Sequence, residues 1–373
     1  MTFNELKLKK PLLMALESIG YHQATPIQEK AIPSILDGKD IFGCAQTGTG
    51  KTGAFALPLL HQLHDKGFAK HTRALILAPT RELALQISDN IRAYSKNLNI
   101  SFTTIFGGVS QKNQERDLRN GVDIIIATPG RLLDLMEQRI VRIDKIEHFV
   151  LDEADRMLDM GFINDIKKII SKIPTQRQTL FFSATAAPEI MKLANTLLKS
   201  PVHVSVNPVS SATPLVEQSI YYVEKEKKRS LLKHVLNSGK VEHALVFTRT
   251  KRGADRVAKE LNKNGILSEA IHGDKSQGAR ERALKSFKNR SIRVLVATDI
   301  AARGIDVDKL SHVINYEIPE QAETYVHRIG RTGRAGTSGI AISFCAKDEM
   351  GSMRDIHKLI KQKIDVVGTH PFA

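Results

Sequence analysis

Short, unbroken apolar runs alternate with longer amphipathic stretches along almost the whole chain. Residues 73–78 (RALILA), 101–106, 123–127 (DIIIA), 148–151 (HFVL) and 179–182 (TLFF) are runs of strand length with little polar alternation, the pattern of strands buried on both faces, as parallel strands are. Between them lie helix-length stretches such as 82–97 and 111–120. That order predicts a parallel sheet with helices on both faces. From about Pro201 the composition turns to a Pro/Ser/Thr-rich stretch without periodicity, the mark of a linker. A second series of runs then begins at 220–223, 243–247, 269–272, 292–298, 312–315 and 339–344. The expected fold class is therefore α/β: two parallel-sheet domains of similar size in tandem, with a short linker at 207–215. Residues 224–229 (EKEKKR) read as a solvated helix start, and His61 with His64 as a helix surface.

One stretch nearly dictates a ligand. Residues 39–44 (KDIFGC) read as a buried strand and 53–63 as a helix, and between them runs Ala45-Gln46-Thr47-Gly48-Thr49-Gly50-Lys51-Thr52. Glycines there let backbone N–H groups turn inward around a phosphate at a helix N-terminus; Lys51 would reach the outer phosphates and the Thr52 hydroxyl would hold Mg²⁺. Ala45 departs from the general pattern, which has a glycine at that place. Only this first domain carries such a cradle. Phosphoryl transfer to water also needs a carboxylate for the metal, a group to orient the water and positive charge against the transition state. The run 149–151 leads into Asp152-Glu153-Ala154-Asp155, which puts Asp152 at a strand tip as a Mg²⁺ partner and Glu153 beside it as a candidate base; an acidic helix start is the plainer alternative. Arg328, Arg331 and Arg334, interleaved with glycines, offer the cation, with Arg331 and Arg334 spaced to converge on one phosphate. Placed in the other domain, they would make hydrolysis depend on closure.

Charge adds a partner class. Lys and Arg number 55 against 40 Asp and Glu, a net charge of +15. Residues 1–210 hold 26 against 21 and the remainder 29 against 19, so the second half is the more basic. Such an excess favours polyanions, nucleic acid ahead of an acidic membrane surface. The two cysteines, Cys44 and Cys345, lack metal-ligand spacing, which argues for a reducing compartment and against zinc or disulfides. Neither a signal-peptide core nor a run near the ~20 apolar residues of a membrane span occurs. A cytoplasmic placement is expected.

The motifs, in order, are Gly20-Tyr21 with Thr25-Pro26-Ile27-Gln28, the cradle, Pro79-Thr80-Arg81-Glu82, Gly107-Gly108, Thr128-Pro129-Gly130-Arg131, Asp152 to Asp155, Ser183-Ala184-Thr185, Gln277 to Arg280, Ala297-Thr298-Asp299 with Arg303-Gly304-Ile305-Asp306, and His327 to Arg334. The chain resembles a DEAD-box RNA helicase core from end to end, and Asp155-Arg-Met-Leu-Asp-Met-Gly-Phe162 is similar to the bacterial RhlE type. The resemblance implies two RecA-like domains, at 31–206 and 216–373, behind an N-terminal adenine-recognition region at 1–30. It implies ATP and Mg²⁺ as cofactors and RNA as partner, with ribosome-assembly or RNA-decay proteins as further partners. It makes Gln28 the reader of the adenine edge with Phe3 and Tyr21 near the base, Ser183 and Thr185 the coupling between hydrolysis and strand separation, Asp306 a ribose contact, and His327 a link from the second domain to the acidic tetrad. Lys51, Asp152, Glu153, His327, Arg331 and Arg334 would carry catalysis. The implied RNA contacts are Thr80, Arg81, Gly107, Gly108, Thr128, Gly130 and Arg131, then Arg249, Thr250, Gln277, Arg280 and Thr298. The first group lies at the C-terminal ends of predicted strands, where open α/β sheets bind ligands. Such backbone contacts carry little sequence information but distinguish RNA from DNA through the 2′-OH. An ATP-gated RNA clamp and a DNA-translocating motor are the rival functions. The chain ends at Thr369-His-Pro-Phe-Ala373 without a basic tail, which fits a minimal protein or one that has lost its tail.

Overall fold

The computed structural model describes the chain apart from residues 46–47, 66, 68–70, 207–215, 240, 303–309, 334–337 and 373. It divides into two compact units, Met1–Pro208 and Val209–Ala373. Unit 1 holds β1 (Ile41–Ala45), β2 (Ala74–Leu77), β3 (Phe102–Ile105), β4 (Ile124–Ala127), β5 (His148–Leu151), β6 (Gln178–Ser183) and β7 (Val202–Val206), in the sheet order β3-β4-β2-β5-β6-β1-β7. Unit 2 holds β8 (Val216–Tyr222), β9 (Ala244–Thr248), β10 (Ser268–Ile271), β11 (Val294–Thr298), β12 (His312–Asn315), β13 (Gly339–Cys345) and β14 (Asp365–Val366), in the order β10-β11-β9-β12-β13-β8-β14. Each place in the second sheet is taken by the strand seven further along the chain, so the two units share one topology. Every pairing between these strands is parallel.

The strands are apolar throughout because successive side chains point to opposite faces and both faces are covered. Ile76, Ile124, Val150 and Phe182 enter one core of unit 1, while Leu75, Ile125, Phe149 and Phe181 enter the other. At the N-terminal edge of this sheet the strand starts are tied by buried charge. Arg73, before β2, donates from Nη2 and Nε to Asp123 Oδ1 at 2.6 and 3.1 Å, and Asp123 Oδ2, before β4, accepts from the Ser101 amide at 2.9 Å. Asp40, before β1, accepts from the Thr179 and Lys199 amides at 2.8 and 2.7 Å.

Three readings change. The stretch from Pro201 is not all linker: Val202–Val206 pairs with β1 from Ile41↔Val202 to Ala45↔Val206, an edge strand whose alternation (VHVSV) leaves one face outside the core. The linker at 207–215 lies outside the described residues. The strand expected at 220–223 begins at Val216, because Glu217 and Ser219 interrupt the apolar run while Val216, Gln218 and Ile220 point inward. In the charged run 224–229, Lys228 is 2% exposed and so is not solvated. No helix among the described residues is long and apolar enough to cross a membrane.

Candidate nucleotide and nucleic-acid site

In unit 1 the loop after β1 turns on Gly48 (φ +86°) and Gly50 (φ +93°), a backbone conformation glycine adopts without strain. Lys51 opens the helix Lys51–Asp65 and is buried, its Nζ donating to the Ala45 carbonyl at 2.7 Å. Gln46 and Thr47 lie outside the described residues; Thr49 and Thr52 flank the glycine–lysine pair in the turn and first helical residues. The helix Pro26–Leu36 lies against this loop: Gln28 accepts the Thr25 amide on Oε1 at 2.9 Å and donates Nε2 to the Gly50 carbonyl at 3.0 Å. A Cβ at Gly50 or Gly53 would come within 2.7 and 2.6 Å of Gln28 Nε2. Glycine at these two places is therefore a packing requirement of the Gln28 contact. Gln28 is itself buried, and its Nε2 carries a second hydrogen beyond the one given to Gly50. The two aromatics separate: Tyr21 is 47% exposed and Phe3 is part of the core.

The acidic tetrad follows β5, two strands from the cradle. Asp152 is buried and accepts the Glu153 amide at 3.0 Å; burial pushes its carboxyl up to about 6, against the pull of Lys51. Glu153 takes a left-handed conformation, φ +53°, which costs roughly 1–2 kcal/mol in a residue with a side chain. Its carboxylate pairs with Arg156. Asp155 Oδ2 accepts the Ala184 amide at 3.2 Å, and Ser183 Oγ accepts the Thr185 amide at 3.3 Å, so the tetrad and the Ser183–Thr185 turn are bonded directly. For Mg²⁺ the donors fit in kind: a carboxylate and the Thr52 hydroxyl are hard oxygen ligands, and Mg²⁺ keeps several waters and binds few protein groups.

The remaining unit 1 residues gather at the same edge of the sheet. Thr80 caps the helix Arg81–Tyr94, its hydroxyl accepting the Leu83 amide at 3.3 Å. The Arg81 guanidinium lies over Gly107 and Gly108; Gly108 has φ +83°, and a Cβ there would fall 2.2 Å from Nη1. Thr128 precedes the helix Pro129–Glu137, Gly130 faces open space, and Arg131 is held by Asp134 and by Gln111 Oε1 at 2.7 Å.

In unit 2, Arg249 and Thr250 are exposed after β9, and Arg280 is half-buried. Gln277 and Thr298 are buried, so a contact through their side chains requires rearrangement. Of the three arginines, Arg328 is a structural residue: it binds Asp299 through Nε and Nη2 at 2.6 and 2.8 Å and the Glu317 carbonyl at 2.6 Å, 5.0 Å above the Phe247 ring. Arg331 is buried with Nε on the His327 carbonyl at 3.3 Å and would have to leave that packing to meet a phosphate. Arg334 and Asp306 lie outside the described residues. The Asp299–Arg328 pairing escaped the sequence reading because the partners stand far apart in the chain and both sit in motifs already given other work.

A glycine cradle at one strand end, a buried aspartate at the end of a strand two places away and a second unit of identical strand order define a tandem RecA-like nucleotide-binding protein. Residues 25–193 match the DEAD/DEAH box helicase family and residues 226–336 the helicase conserved C-terminal domain. The chain belongs to the DEAD-box family of ATP-dependent RNA helicases. It is 43% identical over 362 residues to the ATP-dependent RNA helicase CshA of Listeria monocytogenes, covering 97% of this chain and 69% of that protein. With CshA of Bacillus cereus the identity is 44% over 364 residues, 98% and 69% of the two chains. Among solved structures, S. cerevisiae Dbp5 bound to RNA and ADP BeF3 matches with a TM-score of 0.89 at 30% identity, covering 98% of this chain and 95% of that one.

Proposed function

We propose that this protein is an RNA-dependent ATPase that uses ATP binding and hydrolysis for local, non-processive unwinding of short RNA duplexes and for remodelling RNA–protein complexes. The observation that carries the reading is the bonded path in unit 1. The cradle and Lys51 would face the phosphates, Asp152 with Thr52 would hold Mg²⁺, which supplies charge against the phosphates, and Glu153 would orient the attacking water. Asp155 then passes the state of the site to Ser183 and Thr185 through the Ala184 amide. Glu153 is held by Arg156 in a strained backbone conformation, which suits a group whose placement matters more than its comfort. Gln28 selects adenine. RNA runs along Thr80, Arg81, Gly107, Gly108, Thr128, Gly130 and Arg131 in unit 1 and along Arg249, Thr250 and Arg280 in unit 2. Arg331 and Arg334 supply charge from unit 2, and His327 links that unit to the acidic tetrad. The working divisions are 1–30, 31–206, 207–215 and 216–373.

The relatives above carry the CshA name, and the finer RhlE-type assignment rests on the run 155–162 alone. Ribosome assembly or RNA decay in the cytoplasm is the setting the family suggests. Steady-state ATP hydrolysis with single-stranded RNA, with single-stranded DNA and without nucleic acid tests the reading. Stimulation by RNA alone, lost in Glu153→Gln, supports it. Equal stimulation by DNA, or turnover indifferent to RNA, refutes it.

A further inference from the structure

The shared topology sets unit 2 beside unit 1 place by place. β8 stands where β1 stands, β12 where β5 stands and β13 where β6 stands. The helix after β1 opens with Lys51 and the helix after β8 opens with Lys228. Both lysines are buried, at 6% and 2% exposure, and both donate to main-chain carbonyls: Lys51 to Ala45 at 2.7 Å, Lys228 to Tyr316 and Phe344 at 3.0 and 2.9 Å. The amide that follows β6, Ala184, goes to a carboxylate, and so does the amide that follows β13, Ala346. The units differ in what completes the site. Unit 1 has a glycine turn before its lysine; unit 2 has Glu224 and the short 3₁₀ helix Lys225–Lys227, with no glycine to open a cradle.

The lysine of unit 2 meets a carboxylate from its own chain. Glu349 is 4% exposed; its Oε2 accepts from Lys228 Nζ and from the Ala346 amide at 2.9 Å. Its Oε1 accepts from the Ile318 amide at 3.1 Å and from Arg249 Nη2 at 2.8 Å. Arg249 also donates Nε to the Ile318 carbonyl at 2.9 Å, and its remaining guanidinium hydrogens are uncommitted. Arg249, Lys228 and Glu349 line one cavity of about 820 Å³, with Arg229, Lys251 and Arg256 among its other walls.

We propose that Glu349 is a positioning residue for RNA: it fills from within the chain the place on Lys228 that corresponds to a phosphate on Lys51, and its second oxygen fixes the Arg249 guanidinium toward the RNA backbone. The inference rests on the proposed RNA contact of Arg249. A buried carboxylate bridging two cations holds the guanidinium in one orientation, so that its free N–H groups meet a phosphate without first losing rotamer freedom. Unit 2 thereby keeps the frame of a nucleotide site while spending it on RNA.

The test compares Arg249→Ala, Glu349→Gln and Lys228→Met/Glu349→Gln in the full chain. Each is read by the concentration of a single-stranded RNA oligonucleotide that half-saturates the ATPase, by the rate at saturating RNA, by fluorescence anisotropy and by thermal unfolding. Glu349→Gln alone leaves Lys228 buried without an anion and destabilises unit 2, whereas the double replacement removes both charges and recovers stability. A positioning role predicts that both variants raise the half-saturating RNA about tenfold, with the saturated rate within twofold. It also predicts that adding Arg249→Ala to either makes matters no worse. If the RNA defect disappears in Lys228→Met/Glu349→Gln as stability returns, Glu349 is merely structural and the inference falls. If Arg249→Ala weakens RNA and Glu349→Gln does not, the inference again falls while the RNA reading stands. If Arg249→Ala itself changes nothing, the RNA contact is wrong and the inference goes with it.

Discussion

Gly53→Ala should change sign with its neighbour. The added methyl would lie 2.6 Å from Gln28 Nε2 and 3.4 Å from Gln28 Cδ, and Gln28 cannot swing away freely because it is buried and bonded at both ends of its amide. Inside a helix, alanine is favoured over glycine by about 1 kcal/mol. Against that stand a steric cost of about 1–3 kcal/mol for overpacking and about 1 kcal/mol for the lost bond to Gly50. The expected net is a loss of about 1–3 kcal/mol in the parent chain. In a Gln28→Ala background the clash and the bond are both absent, so Gly53→Ala should stabilise by about 1 kcal/mol. Hydrogen exchange of the Lys51–Asp65 amides reads the local free energy in all four proteins, and the KM for ATP should rise in the single Gly53→Ala variant because the cradle is displaced. An effect of the same sign and size in both backgrounds would refute the proposed coupling between the Gln28 helix and the phosphate loop.

Gly108→Ala should expel the Arg81 guanidinium, since its Cβ would fall 2.2 Å from Nη1 at φ +83°; the RNA needed to half-saturate the ATPase should rise about tenfold, and Gly107→Ala, whose Cβ would sit at 3.5 Å, should cost much less. His243 and His312 in unit 2 are buried, and burial lowers both below the ordinary histidine value of 6.5. The unfolded chain takes up their protons first, so the stability they allow is fully present above 6.5 and is lost as pH falls toward the lower folded values. Each contributes a slope of up to about 1.4 kcal/mol per pH unit, which urea titrations between pH 7 and 5 should find flattened in His243→Gln/His312→Gln.

How much of this was readable from sequence depended on whether the signal was local. Continuous apolar runs gave the inner strands to within a residue or two, because burial on both faces leaves no polar position to confuse them. The edge strand Val202–Val206 and the first half of Val216–Tyr222 were missed where one face is polar or semi-exposed. The phosphate loop was legible because Gly48, Gly50, Lys51 and Thr52 are adjacent in sequence. Lys228 was misread as solvated because its partner Glu349 lies 121 residues away; a run of charges looks the same whether or not one member finds a buried mate. Arg328 misled in the opposite sense: the glycine-interleaved run of arginines suggested a cation for a phosphate, while its guanidinium is committed to Asp299 and to the Glu317 carbonyl. The left-handed backbone of Glu153 carried no sequence signal, since the residue type argues against it.

The ion pair and carboxylate ties at the strand starts of unit 1 make that sheet a cantilever. Its root, at Arg73, Asp123, Ser101 and Asp40, is clamped by charge-assisted bonds, while its tip carries turns built on glycine and small side chains. Load applied at the tip bends the turns before it moves the root. A lesion in one turn therefore stays a local fault, affecting one contact at a time. A lesion at the root, such as loss of Asp123, would loosen the starts of β2, β3 and β4 together and shift the turns at their far ends at once, although those turns keep every atom of their own.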